Sequence, residues 1–310
     1  YKPQNIRVNT TMKTTTTKSM KTDVTSYDPL RSIWIWLGKS NIPNWIKLSL
    51  VNTLSHVLAF WTFNAFLTII ARKKLFLQYK LVPSKDIYKK HGLVQAALKS
   101  NMSYDFIASP VISWLFERIL VGDFKWNRSQ AQVQVNQDQN NDAKQHEQGW
   151  SCLRFTGALP SLKTTLWQVA VGYVGYDCMF YFTHRLLHSN LLYKRFHKQH
   201  HEFVSPIGLS SSYQGALEGL IQMFNWYLPI GFAGWLNKNN GGLHGSSLFW
   251  YNCFRWVETV DAHSGYHFPW SPFSYFSIFG GAKAHDIHHS RVFVNYGASV
   301  VWDKLLGTGV

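Results

Sequence analysis

Residues 45–70 read "WIKLSLVNTLSHVLAFWTFNAFLTII", an apolar run closed by Arg72, Lys73 and Lys74. A run this long crosses a hydrocarbon core of about 30 Å as a helix, because only a helix satisfies its own backbone there. Four further stretches follow: 106–116, short and ended by Glu117 and Arg118, which reads as a marginal span or a re-entrant helix; 164–183; and a hairpin of 216–236 and 246–260 around the turn "NKNNGG". The chain is therefore expected to be all-α, an integral-membrane helical bundle of about four to five spans. Composition agrees: 16% of residues are aromatic with 14 Trp, and only 15% are charged. Aromatic rings of this kind favour the membrane interface. The mean hydropathy of -0.15 requires large polar segments beside the spans.

Those segments set the expected organisation. Residues 1–44 form a polar basic N-terminal segment, 45–122 hold the anchor helices, 123–150 are a Gln/Asn-rich loop, and 151–310 form the remaining domain. Tyr1 in place of Met implies a processed or truncated product. Residues 1–22 are rich in Thr, Lys and Asn with no acid before Asp23, a composition shared by mitochondrial targeting segments and low-complexity tails. The net charge is +15, yet residues 151–310 carry 11 Lys/Arg against 7 Asp/Glu, so most of the excess lies in the first 150 residues. There the basic residues flank apolar runs instead of interleaving with aromatics along a groove. That pattern fits anchoring on the cytoplasmic side of a bilayer and argues against a nucleic-acid partner. Three cysteines, Cys152, Cys178 and Cys253, have no short spacing and offer neither a disulfide framework nor a thiolate metal site.

Of the fourteen histidines, ten fall into four tight sets. "HRLLH" holds His184 and His188; "HKQHH" holds His197, His200 and His201. "HSGYH" holds His263 and His267, and "HDIHH" holds His285, His288 and His289. On a helix, positions i, i+3 and i+4 share a face, so each set is expected to aim its rings at one point. Eight to ten imidazoles suffice for two metal ions with a position open to oxygen or water. All-nitrogen donors suit iron, zinc, copper or nickel and disfavour magnesium and calcium. Counting spans from a cytoplasmic Lys/Arg cluster at 72–74 returns every dense histidine set to the cytoplasmic side if 106–121 crosses, and to the opposite side if it does not. Metal-bound imidazoles need acceptors on their other nitrogen. Asp177, seven residues before His184, and Asp261 and Asp286 are the carboxylates placed to serve, with Glu258 nearby.

The order HxxxH, HxxHH, HxxHH around paired spans resembles the fatty acid hydroxylase/sterol desaturase superfamily of membrane di-iron oxygenases. Longer phrases, "YKRFHKQHHEFVSPIGLSSSY", "ETVDAHSGYHFPW", "GGAKAHDIHH" and "NYGASVVWDKLLGT", resemble its C-4 methylsterol monooxygenase branch, with the cholesterol side-chain hydroxylases next. The likeness covers about 164–309. Three positions depart from it: Gln214-Gly215-Ala216 replaces a common Ala-His-Pro, Ala284 replaces a histidine, and His267 stands where acids or amides are usual. The resemblance implies two iron ions, with zinc able to occupy the same donors in a purified sample. It also implies a sterol or other lipid substrate entering from the bilayer. Electrons would come from NAD(P)H through an external carrier of cytochrome b5 type. The implied location is the endoplasmic reticulum membrane, with the mitochondrial inner membrane left open by the N-terminus. Two other readings fit the same features: a fatty acyl or sphingolipid hydroxylase, and a non-catalytic subunit keeping this fold inside a larger membrane complex.

Overall fold

The computed structural model describes residues 28–83, 90–120 and 153–310. The N-terminal segment up to residue 27, the Gln/Asn-rich loop with His146, and Cys152 lie outside the described residues. The all-α expectation holds: β structure is confined to a two-residue parallel pair, Leu153–Arg154 against Leu243–His244, and two isolated bridges.

The chain begins with a short α1, Arg31–Lys39, and a long α2, Asn44–Arg72, interrupted by a π-helical turn at His56–Trp61. Helix α3 runs His91–Ser103, passes through a second π-helical turn at Tyr104–Ala108, and continues Ser109–Leu120. Helix α4 is Leu162–Leu187, started by Ser161, whose Oγ accepts from the Thr164 amide. Helices α5, Ala216–Leu236, and α6, Gly245–Ala262, form the expected hairpin, joined through left-handed Gly241 and Gly242. His244 caps α6, its Nδ1 accepting from the Ser246 amide. Three short helices close the chain: α7, Pro272–Tyr275, α8, Gly281–Arg291, and α9, Val301–Leu305.

One helix among the described residues, α2, is long and apolar enough to cross a membrane by length and composition. The expectation of four to five spans is thus met by that criterion in one helix, and the physical reason is visible in α4 and α5. Their polar residues, Gln168 and Asp177 on α4, Glu218 and Asn225 on α5, lower the hydropathy but are buried inside the bundle. Their outward faces carry Leu166, Val174, Phe182, Leu220, Phe224 and Phe232, all exposed. Helix α3 does the same with Phe106, 75% exposed, and Ile107. Apolar faces turned outward and polar faces inward invert the pattern of a water-soluble bundle.

Two buried apolar clusters hold the helices together. One joins Trp34, Leu48 and Val51 to Phe116, Tyr227, Ile230 and Phe249. The other joins Phe60, Leu67 and Ile70 to Phe203, Ile207, Trp256 and Val260. Polar ties cross between helices as well. His56 Nδ1 meets Asp105 Oδ1 at 2.7 Å and Trp61 Nε1 donates to Asp105 Oδ2 at 2.9 Å, linking the two π-helical turns. Arg255 of α6 lies 3.5 Å from the centroid of the Tyr176 ring on α4 and pairs with Glu258. Cys253 packs partly buried against the clusters and Cys178 is likewise intermediate, neither in a disulfide.

Helices α4 and α5 cross where small residues allow it. A Cβ on Gly175 would stand 2.8 Å from the Pro229 side chain, and one on Gly172 3.0 Å from Ile230 and Tyr251. Close approach at glycine is how helices associate without a hydrophobic drive from water. Gly175→Leu should separate α4 from α5 and destabilise the protein by about 1–3 kcal/mol. Thermal denaturation in detergent checks this; an unchanged midpoint would show that the crossing is not tight.

Candidate metal centre

Nine of the ten predicted histidines converge on one buried region, from five separate elements. His184 and His188 stand at the last turn and C-cap of α4. His197 ends a π-helical turn, Tyr193–His197, and His200 and His201 open a 3-10 turn, His200–Glu202. His263 is the C-cap of α6, and His285, His288 and His289 lie on α8. Eight of these are buried, while His285 is partly exposed where it borders a cavity.

The rings sort into two groups. His184, His188, His197, His201 and His288 make one; His200, His263, His285 and His289 make the other. Within each, the candidate donor atoms lie within 4.8 Å of one another. The expectation that each triplet aims at one point is therefore corrected. In both triplets the first and last members share a group, and the middle one belongs to the other. Helical geometry explains this on α8: i+4 lies about 40° from i, whereas i+3 lies about 60° on the opposite side. The interleaving stitches the two groups together.

Contacts on the outer nitrogens settle which inner nitrogens are bare. A carbonyl oxygen can only accept, so an imidazole nitrogen facing one must carry the proton. His184 Nδ1 donates to the Tyr296 carbonyl at 2.7 Å, and His288 Nδ1 to that of Val294 at 2.7 Å. His263 Nδ1 donates to the Thr259 carbonyl at 2.7 Å and His200 Nδ1 to that of Tyr213 at 3.3 Å. His197 Nδ1 meets Glu218 Oε1 at 2.8 Å, and burial raises that carboxyl, so it takes the ring's proton only when ionised. In the rings held by carbonyls Nε2 is left with a lone pair. Yet His200 Nε2 and His263 Nε2 stand 3.3 Å apart, and His184 Nε2 and His197 Nε2 3.1 Å apart. No proton bridges His200 and His263, so lone pair faces lone pair in a buried site, and the same holds for His184 and His197 while Glu218 is ionised. His288 Nε2 is buried without any hydrogen-bond partner. Protonation is disfavoured too, since burial and then the neighbouring rings hold His201 down to about 3. Burial, ahead of a backbone bond that opposes it, holds His263 down to about 4. His197, His200, His285, His288 and His289 are lowered for the same first cause, burial.

The predicted carboxylates stand elsewhere. Asp177 binds the Ser299 amide at 2.8 Å and its hydroxyl at 2.5 Å. Asp303 binds the amides of Tyr296 and Gly297 at 2.9 and 2.8 Å. Together they pin the loop whose Val294 and Tyr296 carbonyls hold His288 and His184. In that loop Val292 and Asn295 take positive φ of 69° and 54°, uncommon for a β-branched residue and bent around the site. Asp261 accepts from Ser271 Oγ at 2.8 Å, and burial pushes its carboxyl up to about 6. Asp286 lines a small cleft with Lys80, Ser205 and Tyr266. His267 joins neither group; its amide bonds the Tyr79 carbonyl at 2.8 Å, which turns this segment toward α2. A carboxylate that touches one of the nine rings, Glu218, is 1% exposed near the start of α5. A lone acid within an otherwise apolar helix was its signal in the sequence.

Beside the groups lies a cavity of about 580 Å³, bordered by His184, His197, His200, His263 and His285 at one end. Val111, Ile112 and Leu115 of α3 and Met223 of α5 make its apolar walls.

Buried neutral imidazoles imply a pH dependence. The unfolded chain binds protons near 6.5, whereas His263 resists until about 4 and His201 until about 3. The stability contributed by His263 in the metal-free protein is then full above pH 6.5 and lost as pH drops from there through about 4, opposite in sign to the raised Asp261 carboxyl. Melting midpoints of the wild type and His263→Gln across that range check it; a difference between them that does not shrink on acidification contradicts the burial.

Residues 169–308 match the family model described as fatty acid hydroxylase. A very-long-chain aldehyde decarbonylase of Oryza sativa subsp. indica is 38% identical over 168 residues, 51% of this chain and 60% of the relative. Methylsterol monooxygenase 2-2 of Arabidopsis thaliana is 38% identical over 160 residues, 50% of this chain and 57% of the relative. Methylsterol monooxygenase 1 of Gallus gallus is 39% identical over 133 residues, 43% of this chain and 42% of the relative. The chain thus spans about half the length of the curated relatives it matches. No solved structure matches it. All nine clustered histidines lie inside the stretch that matches the fatty acid hydroxylase family model, residues 169–308.

Proposed function

We propose that this chain is a membrane-bound, dioxygen-dependent di-iron oxygenase that oxidises a C–H bond of a lipid, a sterol before other lipids. The observation that carries the reading is the pair of bare Nε2 contacts at 3.1 and 3.3 Å. A cation between them converts repulsion into ligation. Two nitrogens each about 2.0–2.1 Å from one first-row ion, at angles between square and tetrahedral, stand about 2.9–3.3 Å apart. The neighbouring Nε2 pairs within the groups stand 2.9 to 3.3 Å apart, and no donors in a group lie more than 4.8 Å apart, separations that fit such an ion. His184, His188, His197, His201 and His288 would hold one ion, and His200, His263, His285 and His289 the other. All-imidazole donors suit iron.

Two bound irons would supply dioxygen activation and the oxidation of an unactivated C–H bond. The chain's own residues do the rest. Glu218 and the carbonyls of Tyr213, Val294, Thr259 and Tyr296 fix ring orientation and keep Nε2 free. The walls of α3 and α5 exclude water and align an apolar body against the histidines. The outward apolar faces of α2 to α5 would sit in lipid, so the substrate enters from the bilayer. Relatives named methylsterol monooxygenase favour a sterol and an endoplasmic reticulum membrane. Electrons would arrive from NAD(P)H through a separate carrier of cytochrome b5 type.

Anaerobically purified protein should contain about two irons per chain, and His263→Ala should lower the count to about one, read by elemental analysis. With a reductant and dioxygen it should oxidise a 4-methylsterol. Zinc with no turnover after iron reloading, or firm co-purification in an inactive complex, would favour a structural role. Glu218→Ala should weaken metal binding about 10- to 100-fold, with Glu218→Gln restoring most of it because Gln keeps an acceptor for His197. Metal titration reads this without turnover, and equal losses in both variants would point to charge in place of orientation.

A further inference from the structure

The cavity is apolar along α3 and α5 but polar where it meets the histidines, and the polar groups there are not equally free. Ser211 Oγ donates to the Gly208 carbonyl at 2.9 Å, and Ser100 Oγ to the Ser212 carbonyl at 3.1 Å. The Gln222 amide oxygen accepts from Asn225 at 3.3 Å. The Gln214 side chain, which also lines the cavity, has no hydrogen-bond partner among the described residues. Its Nε2 lies 3.6 Å from where a Cβ would stand on Gly219, so the amide rests over the first turn of α5.

Neighbours on both sides tie that amide to the metal groups. Tyr213, the preceding residue, holds His200 of one group through its carbonyl. Glu218, adjacent to Gly219, holds His197 of the other group. Gln214 is thus an uncommitted donor and acceptor next in sequence to a residue that holds a metal-group ring; Ser212 Oγ, which also lines the cavity and has no partner, is a hydroxyl with a single proton to donate. We propose that Gln214 is a specificity-determining residue: its amide hydrogen-bonds a neutral hydroxyl or carbonyl oxygen of the substrate that lies within a few bonds of the carbon oxidised. The ligand class is a lipid with an alcohol or carbonyl next to its reactive carbon, bound with its apolar body between α3 and α5. An amide can both donate and accept, which suits either oxygen function. Burial around this part of the cavity, which also raises the Glu218 carboxyl, disfavours an anionic headgroup there. A lipid oxidised far out on an alkyl tail would place carbon against the amide and leave it unpaired. The inference rests on the oxygenase reading for its chemistry, but the recognition itself is a binding property.

The test uses the iron-loaded full chain in lipid nanodiscs under anaerobic conditions. The ligands are 4,4-dimethylcholestan-3-ol and 4,4-dimethylcholestane, which lacks the hydroxyl. Binding is followed by quenching of tryptophan fluorescence, since Trp226 and Trp256 line the cavity. The wild type should bind the alcohol about tenfold more tightly than the hydrocarbon. Gln214→Ala should erase that preference while leaving hydrocarbon binding unchanged, and Gln214→Asn should restore part of it. Retention of the preference in Gln214→Ala, or its absence in the wild type, overturns the assignment, as does binding of neither ligand. Admitting dioxygen and reductant then tests the chemistry separately. Preference without turnover removes the oxygenase reading and leaves Gln214 as the recognition group; turnover without preference does the reverse.

Discussion

Two imidazole nitrogens 3.3 Å apart, on His200 and His263, each left bare by a carbonyl on the far side of its ring, are the interaction around which this protein is arranged. Buried lone pairs do not approach one another without a reason, because each has lost water and gained nothing. The arrangement repeats in the other group between His184 and His197 while Glu218 is ionised. Burial opposes protonation, and carbonyls fix the tautomers of His200 and His263. Donor atoms gathered in this way could hold a metal ion.

Holding them takes more of the molecule than the histidines themselves. Gly172 and Gly175 let α4 and α5 approach, which brings Glu218 to His197. Asp177 and Asp303 act at one remove, fastening the loop 292–299 so that its carbonyls reach His288 and His184. The π-helical turns in α2 and α3, tied through His56 and Asp105, set Tyr104 and Trp256 against each other at the cavity wall. Such turns re-aim side chains that a regular helix would point elsewhere. Polar residues that would be costly in lipid are the ones the fold spends inside, around the site.

Much of this was legible in the residues. The long apolar run at 45–70 matches α2, and the hairpin boundaries at 216–236 and 246–260 lie close to α5 and α6. Periodicity and turn residues act locally, so they survive being read one segment at a time. Proximity in sequence misled in two places. Asp177, Asp261 and Asp286 were chosen for lying near histidines along the chain, while Glu218, 21 residues after His197, is an acid that touches one of the nine rings. His267 shares a motif with His263 yet joins neither group; the chain turns through Ser264 and left-handed Gly265 between them, and the His267 amide bonds the Tyr79 carbonyl.

By itself the sequence determined the element types, the apolar outer faces and the stock of imidazoles, since hydropathy and helical period are properties of neighbours along the chain. Only the tertiary structure decided how those imidazoles divide into five and four, which nitrogen of each ring is bare, and which amide at the cavity is left without a partner. Each of these depends on a carbonyl, carboxylate or side chain brought in from a distant segment. Tyr296 reaches His184 across 112 positions and His263 reaches His200 across 63. Directional contacts of that range exist only once the helices are packed.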